Sequence, residues 1–234
     1  MNGSPTVTIV SSNIVGPTHG PIIVLSSINH MLLIALSVVS VVCVISLSAS
    51  VYMYQQVRSM QAQLVAAHTN TSFDCLTRTG VRVTWKGGRQ GLVFMDLDHM
   101  HGLNSLLGYA QVDALIHRAL ATLRSIDTVS SIGQWMSGDE FIITCKAGEE
   151  VGLATRLRNV MNDITAELRQ DESILTKHAE LLATDARYGM SVPTFAATYG
   201  CVTTVTGASL EVEVNRASAK VQLAKANNDR GTVN

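Results

Sequence analysis

The longest pattern in the chain is an apolar run broken only by serines, MLLIALSVVSVVCVISLSASVYMY, from Met31 to Tyr54. A helix of about 20 mainly apolar residues crosses a bilayer. Serine hydroxyls can return a hydrogen bond to the preceding helical turn, and Tyr52 and Tyr54 suit a membrane interface. Residues 31–54 are therefore read as one transmembrane helix. A secretory signal peptide is the rival, but the basic n-region is missing and the apolar run is too long for a typical h-region. Next, QQVRSMQAQLVAAH carries Val57, Met60 and Leu64 at alternating steps of three and four, which lines up one apolar stripe. Residues 55–72 are read as a helical linker, either paired with a second copy as a short parallel coiled coil or lying alone against a surface. Residues 1–30, rich in Ser, Thr, Gly, Pro and Asn, read as a short, weakly ordered extracytoplasmic tail.

From about Phe73 strand and helix patterns alternate. GLVFMDLD is a buried-strand pattern ending in acids, and AQVDALIHRALATLRSI puts Val112, Leu115, Ile116, Ala119 and Leu123 on one helical face. IGQWM and FIITC flank the turn SGDE as a hairpin. GEEVGLATRLRNVMNDITAELRQ is a second helix, the stretch around 170–190 is polar, TFAATYGCVTTV is a strand, and SLEVEVNRASAKVQLAKAN closes with a helix. The order β-α-β-β-α-β-α around an antiparallel hairpin makes residues 73–234 an α+β domain.

Charge changes this picture by dividing the chain. The 17 basic and 18 acidic residues nearly cancel, yet none occurs before Arg58. Arg58, Arg78, Arg82, Lys86 and Arg89 follow the span and nothing basic precedes it, so the positive-inside rule puts the N-terminus outside and the rest in the cytoplasm. No nucleic-acid partner is expected. Cys43 lies in the span, and Cys75, Cys145 and Cys201 are scattered without CxxC spacing, which indicates small buried residues in a reducing compartment.

The candidate chemistry is acidic. Asp96 and Asp98 end one predicted strand, and Asp139 and Glu140 sit at the hairpin tip. If the strand and the hairpin are neighbours in one sheet, carboxylates from two segments meet at one edge. Such oxygens repel one another unless a hard cation such as Mg²⁺ lies between them, the arrangement used to hold a substrate phosphate. The alternative is that these acids only cap helices and form turns. His99 and His101 lack a further chelating residue at ligand spacing and read as surface or phosphate-proximal groups. Trp85 and Trp135 read as packing residues.

Several ordered blocks in residues 73–234 resemble the GGDEF domain, the catalytic module of diguanylate cyclases, which condense two GTP molecules into cyclic di-GMP. DCLTRTGVR resembles the family's D-x-L-T-G-L-x-N-R and keeps Asp74, Leu76, Thr77 and Arg82. DLDHMHGLNSLLGYAQVD resembles D-x-D-x-F-K-x-x-N-D-x-x-G-H-x-x-G-D and keeps Asp96, Asp98, Asn104, Gly108 and Asp113 in register. The signature itself reads Ser137-Gly138-Asp139-Glu140-Phe141, and ATYGCV resembles the later T-x-S-x-G-V strand. The resemblance implies a nucleotidyl-cyclase, palm-like sheet flanked by helices. It also implies that Asp96, Asp139 and the Leu97 carbonyl hold Mg²⁺ or Mn²⁺, with Glu140 supporting that site or taking the proton from the ribose 3′-hydroxyl. Asn104 and Asp113 would recognise guanine, and Gly138 and Ser137 would admit the nucleotide.

The chain departs from the pattern at several places: Ser137 stands where the signature begins with glycine, and His101 stands where the family has a lysine expected to contact phosphate. Trp135 replaces an arginine, Tyr109 replaces a histidine, and the terminal K-x-x-G-R-N block reads KANNDRG, keeping Lys225 and shifting its arginine to Arg230. The family's inhibitory R-x-x-D would fall at Thr128 and Ser131, so no product inhibition through that site is expected. RSID, four residues upstream, reads as a helix terminus. Two readings follow. One is a homodimeric diguanylate cyclase that binds GTP, held in a bacterial-type inner membrane by one span with its GGDEF-like domain in the cytoplasm. The other is a catalytically degenerate GGDEF module that binds nucleotide or a protein partner.

Overall fold

A computed structural model describes residues 20–136 and 138–234. The first 19 residues of the expected tail and the signature residue Ser137 lie outside the described residues. The chain divides into two compact units, 1–60 and 61–234.

In the first unit one helix dominates. Helix α1 (Gly20–Ala67) has 48 residues, so at 1.5 Å per residue it is about 70 Å long, more than twice the ~30 Å hydrocarbon core of a bilayer. It begins inside the stretch expected to be a loose tail and continues without a break through most of the expected linker, so tail, span and linker share one helix. Its segment His30–Leu64 is long and apolar enough to cross a membrane, with a mean hydropathy of 2.7 in its most apolar window, none of it buried against the rest of the chain. The serines behave as expected of a helix in lipid: the hydroxyls of Ser37, Ser40 and Ser50 donate to the carbonyls of Leu33, Leu36 and Ser46 at 2.9 Å.

The second unit is a six-stranded sheet between two layers of helices. Its elements are β1 (Thr69–Asn70), β2 (Cys75–Leu76), α2 (Arg78–Thr84), β3 (Gly91–Leu97), α3 (Met100–Leu107), α4 (Tyr109–Arg124), β4 (Val129–Gln134), β5 (Glu140–Cys145), α5 (Glu150–Leu168), α6 (Glu172–Thr184), β6 (Ala197–Thr203) and α7 (Leu210–Ala226). The strand order is β1-β2-β4-β5-β3-β6, antiparallel except where β2 meets β4. The order read from the pattern is therefore present in its core, with additions.

Strand β3 is buried along all seven residues because both faces are covered. Val93, Met95 and Leu97 join the larger core under α3, α4 and α5, while Leu92 and Phe94 join a smaller core under α2 and α7. Two glycines let helices approach this second face. A Cβ on Gly200 would collide with the Ala217 carbonyl of α7, and one on Gly133 would collide with Val81 of α2.

Three elements depart from the pattern reading. The polar stretch after α5 holds helix α6, capped by Asp171, whose carboxylate accepts from the N–H groups of Ser173 and Ile174. Its inner face is only Ile174, His178 and Leu181, too narrow a stripe to stand out among charged neighbours. The helix between β3 and β4 is two helices, broken at Gly108, whose φ of 84° ends α3 and starts α4. The short pieces β1, β2 and α2 owe their form to tertiary contacts, including the Thr77 N–H donated to the His68 carbonyl at 2.6 Å.

Candidate active site

The acids meet because of one register. Strand β5 starts at Glu140 and pairs with β3 so that Glu140 lies opposite Asp96, and the Leu97 N–H donates to the Asp139 carbonyl at 3.0 Å. Opposed residues on antiparallel strands project to the same face. Glu140, Asp96 and, across β6, Thr198 thus share the face covered by α2 and α7. Gly138 supports the tip with φ of 70°, a left-handed conformation that a side chain would strain.

Lys225, near the end of α7, reaches this strand end from above. Its ammonium lies 2.6 Å from Asp96 Oδ1 and 3.4 Å from Asp98 Oδ1. Burial, with the nearby charges of Asp139 and Asp98 adding to it, raises the Asp96 carboxyl above its ordinary range despite Lys225. Glu140 is raised likewise, by burial first and then by Asp96 and Asp139. At both acids burial is the larger cause, and the Lys225 ammonium offsets it only in part.

Asp98 has a different role. It is 2% exposed and accepts from the Thr198 hydroxyl at 2.9 and 3.2 Å, from Arg230 at 3.2 Å and from the Gly231 N–H at 3.1 Å. Its oxygens are occupied by the chain itself. The segment that grips it continues along β6, where the N–H groups of Tyr199 and Cys201 donate to the carbonyls of Thr232 and Asn234. The sequence gives no signal for Thr198 or Gly231 in this role, because both act only once the C-terminal segment has folded back.

The remaining expected site residues lie apart from these acids. Asn104 on α3 and Asp113 on α4 are half-buried on helices of the opposite layer, either side of the Gly108 break, and neither side chain has a hydrogen-bond partner among the described residues. His101 is exposed in the first turn of α3. Trp135 is buried in the smaller core, with Arg78 and Arg82 over its ring at 4.5 and 5.6 Å. Arg124, of the RSID stretch, closes its helix by donating to the Phe73 and Asp74 carbonyls at 2.6 and 2.7 Å. Among the described residues no three His, Cys, Asp or Glu side chains stand close enough to cage a metal ion by themselves.

The fold of the chain is matched by solved structures. The GGDEF domain of DgcB from Caulobacter crescentus, solved in complex with c-di-GMP, is 17% identical with a TM-score of 0.52, covering 71% of this chain and 92% of that one. A longer DgcB structure with its coiled coil is 16% identical with a TM-score of 0.52, covering 80% and 95%. The diguanylate cyclase SiaD from Pseudomonas aeruginosa, solved with its activator SiaC, is 19% identical with a TM-score of 0.54, covering 91% and 76%. The fold is that of a GGDEF domain. No family model and no curated protein matches the sequence.

Proposed function

We propose that the chain is a membrane-bound diguanylate cyclase that condenses two GTP molecules into cyclic di-GMP. The supporting observation is the β3–β5 register, which sets Asp96 opposite Glu140 and ties Asp139 to Leu97 on a GGDEF fold. The donor set fits Mg²⁺ or Mn²⁺. Magnesium is commonly held by one or two carboxylates, with water and substrate phosphate completing its shell, and Asp96, Asp139 and the Leu97 carbonyl are the protein's share. When bound, the ion neutralises triphosphate charge and makes the attacking hydroxyl more acidic.

The chain's own groups supply the rest. Glu140, whose carboxyl holds its proton more tightly than an exposed one, takes the proton from the ribose 3′-hydroxyl. That oxygen bonds to the α-phosphorus of the second GTP and pyrophosphate leaves, and the reciprocal attack by the second 3′-hydroxyl closes the ring with release of a second pyrophosphate. Asn104 and Asp113 read the guanine edge, Gly138 and Ser137 give the nucleotide room, and His101, Lys225 and Arg230 face the phosphates. Each subunit of a homodimer presents one GTP to the other. Helix α1 crosses a bacterial-type inner membrane with its N-terminus outside, leaving the GGDEF unit in the cytoplasm.

One observation favours a second reading, a nucleotide-binding or protein-interaction module without catalysis. Lys225 and Arg230 already neutralise Asp96 and Asp98 from within the chain. The deciding experiment incubates the full chain in nanodiscs with GTP and Mn²⁺ and follows cyclic di-GMP by chromatography, with Asp139→Ala beside it. Product from the native chain and none from the variant is expected. GTP binding without product would leave the second reading in place.

A further inference from the structure

The smaller core ends in an arginine that pairs with no acid among the described residues. Arg78 opens α2, on the same side of the sheet as Asp96 and Glu140, and its guanidinium carbon lies 4.5 Å from the centre of the Trp135 ring. Trp135 is buried, and its backbone N–H donates to the Glu140 carbonyl at 2.8 Å, so the residue sits directly across the hairpin from Glu140. Arg78 is close enough for its charge to pull the Glu140 carboxyl downward, against the burial that raises it.

Several other arginines of this unit have strong acceptors. Arg82 pairs with Glu211, Arg118 with Glu167, and Arg124 with two backbone carbonyls. Arg78 has only the Met136 sulfur, 3.3 Å from Nη1, and its Nε is buried without a partner among the described residues. Thioether sulfur is a weak acceptor, and a buried donor left unmade is costly. A guanidinium held over an indole face keeps N–H donors that the ring does not engage, and its planar fork matches two phosphate oxygens.

We infer that Arg78 is a polyphosphate-binding residue of the site, its guanidinium held on Trp135 with donors left over for the triphosphate of a nucleotide. This rests on the nucleotide reading of the same acidic strand end. Lys225 on α7 and Arg78 on α2 then flank the carboxylates with positive charge from two different helices. Nothing in the sequence marks Arg78 for this role, because Trp135, Met136 and Glu140 come beside it only through the β2–β4 and β4–β5 pairings.

The test compares GTP with guanosine monophosphate by equilibrium binding to the full chain in detergent micelles with Mn²⁺, for the native protein, Arg78→Met and Arg78→Lys. Methionine keeps an unbranched apolar stem over the indole and removes the donors. Arg78→Met is expected to weaken GTP about tenfold, the scale of one charge-assisted contact, while monophosphate binding stays within about twofold. Arg78→Lys should fall between the two. Equal weakening of both nucleotides, or no change in either, would overturn the inference and leave the nucleotide reading intact. A native chain that binds neither nucleotide would instead overturn the nucleotide reading, and this inference with it.

Discussion

Glu140 holds its proton more tightly in the folded chain than in the unfolded one, which has a consequence for stability. Its carboxyl is raised by burial and by the charges of Asp96 and Asp139. Between its ordinary pKa of 4.5 and its raised folded value, the native state binds more protons than the unfolded state. The stability this group contributes is thus full below pH 4.5 and is lost as pH rises through the folded pKa. At neutral pH the ionised group is a burden, and Glu140→Gln should raise the melting temperature of the 61–234 unit. The gain should be small, about a degree or two, because solvent still reaches the side chain, and it should fade as pH falls towards 4.5. Thermal unfolding of both proteins from pH 4 to 8, followed by tryptophan emission, checks this. A variant less stable than the native chain at pH 7 would show that Glu140 serves packing rather than chemistry. At this scale the acids were legible in the sequence as residues at a strand end and a turn. Arg78 and Thr198 were not, because their meaning depends on segments far away in the chain.

The elements that carry the site were legible where burial writes a pattern. Strand β3 is an unbroken apolar run because helices cover both its faces, and β5 repeats this beside it. Helix α6 was missed because its inner face is so narrow, and β1 and β2 because two-residue strands carry no periodicity at all. The approach of α7 to the sheet is a property of two elements at once, and it makes Gly200 a sensitive position. A methyl there would strike the Ala217 carbonyl, lie 2.8 Å from the Ala217 carbonyl carbon and press on Val221 at 3.2 Å, so α7 would have to lift. Gly200→Ala should therefore cost about 1–3 kcal/mol, in the range of overpacked cores, and should also loosen the Lys225–Asp96 pair. Chemical denaturation reads the first effect. Accelerated hydrogen exchange at the end of α7, with the β3–β5 amides still protected, reads the second. Unchanged stability would mean that α7 sits further from the sheet than this structure has it.

At the scale of the whole molecule, the long apolar helix and the α+β domain were legible because they obey different solvents: residues before Arg58 carry no charge, and all the charge follows. The extent of α1 was not legible, since Ser, Gly and Pro near its start argue against a helix locally. Towards its C-terminal end the helix carries the stripe of Val57, Met60 and Leu64, which are 53%, 66% and 43% exposed in the single chain. An apolar seam left open at steps of three and four suits a second copy in parallel register, which would bring two copies of the 61–234 unit together. A cysteine at Met60 would then meet its own counterpart. In membranes carrying the full chain with Cys43→Ala, mild oxidation should convert most of Met60→Cys to a covalent dimer. Ser59→Cys, turned about 100° round the helix from Met60 and away from the stripe, should stay largely monomeric. Cys75, Cys145 and Cys201 are buried, and burial pushes their thiols up to about 11, 12 and 12, so they should not compete. Equal cross-linking at positions 59 and 60 would point to random collision in the bilayer. A dimer at 60 alone would tie the exposed seam to the pairing that a two-GTP reaction requires.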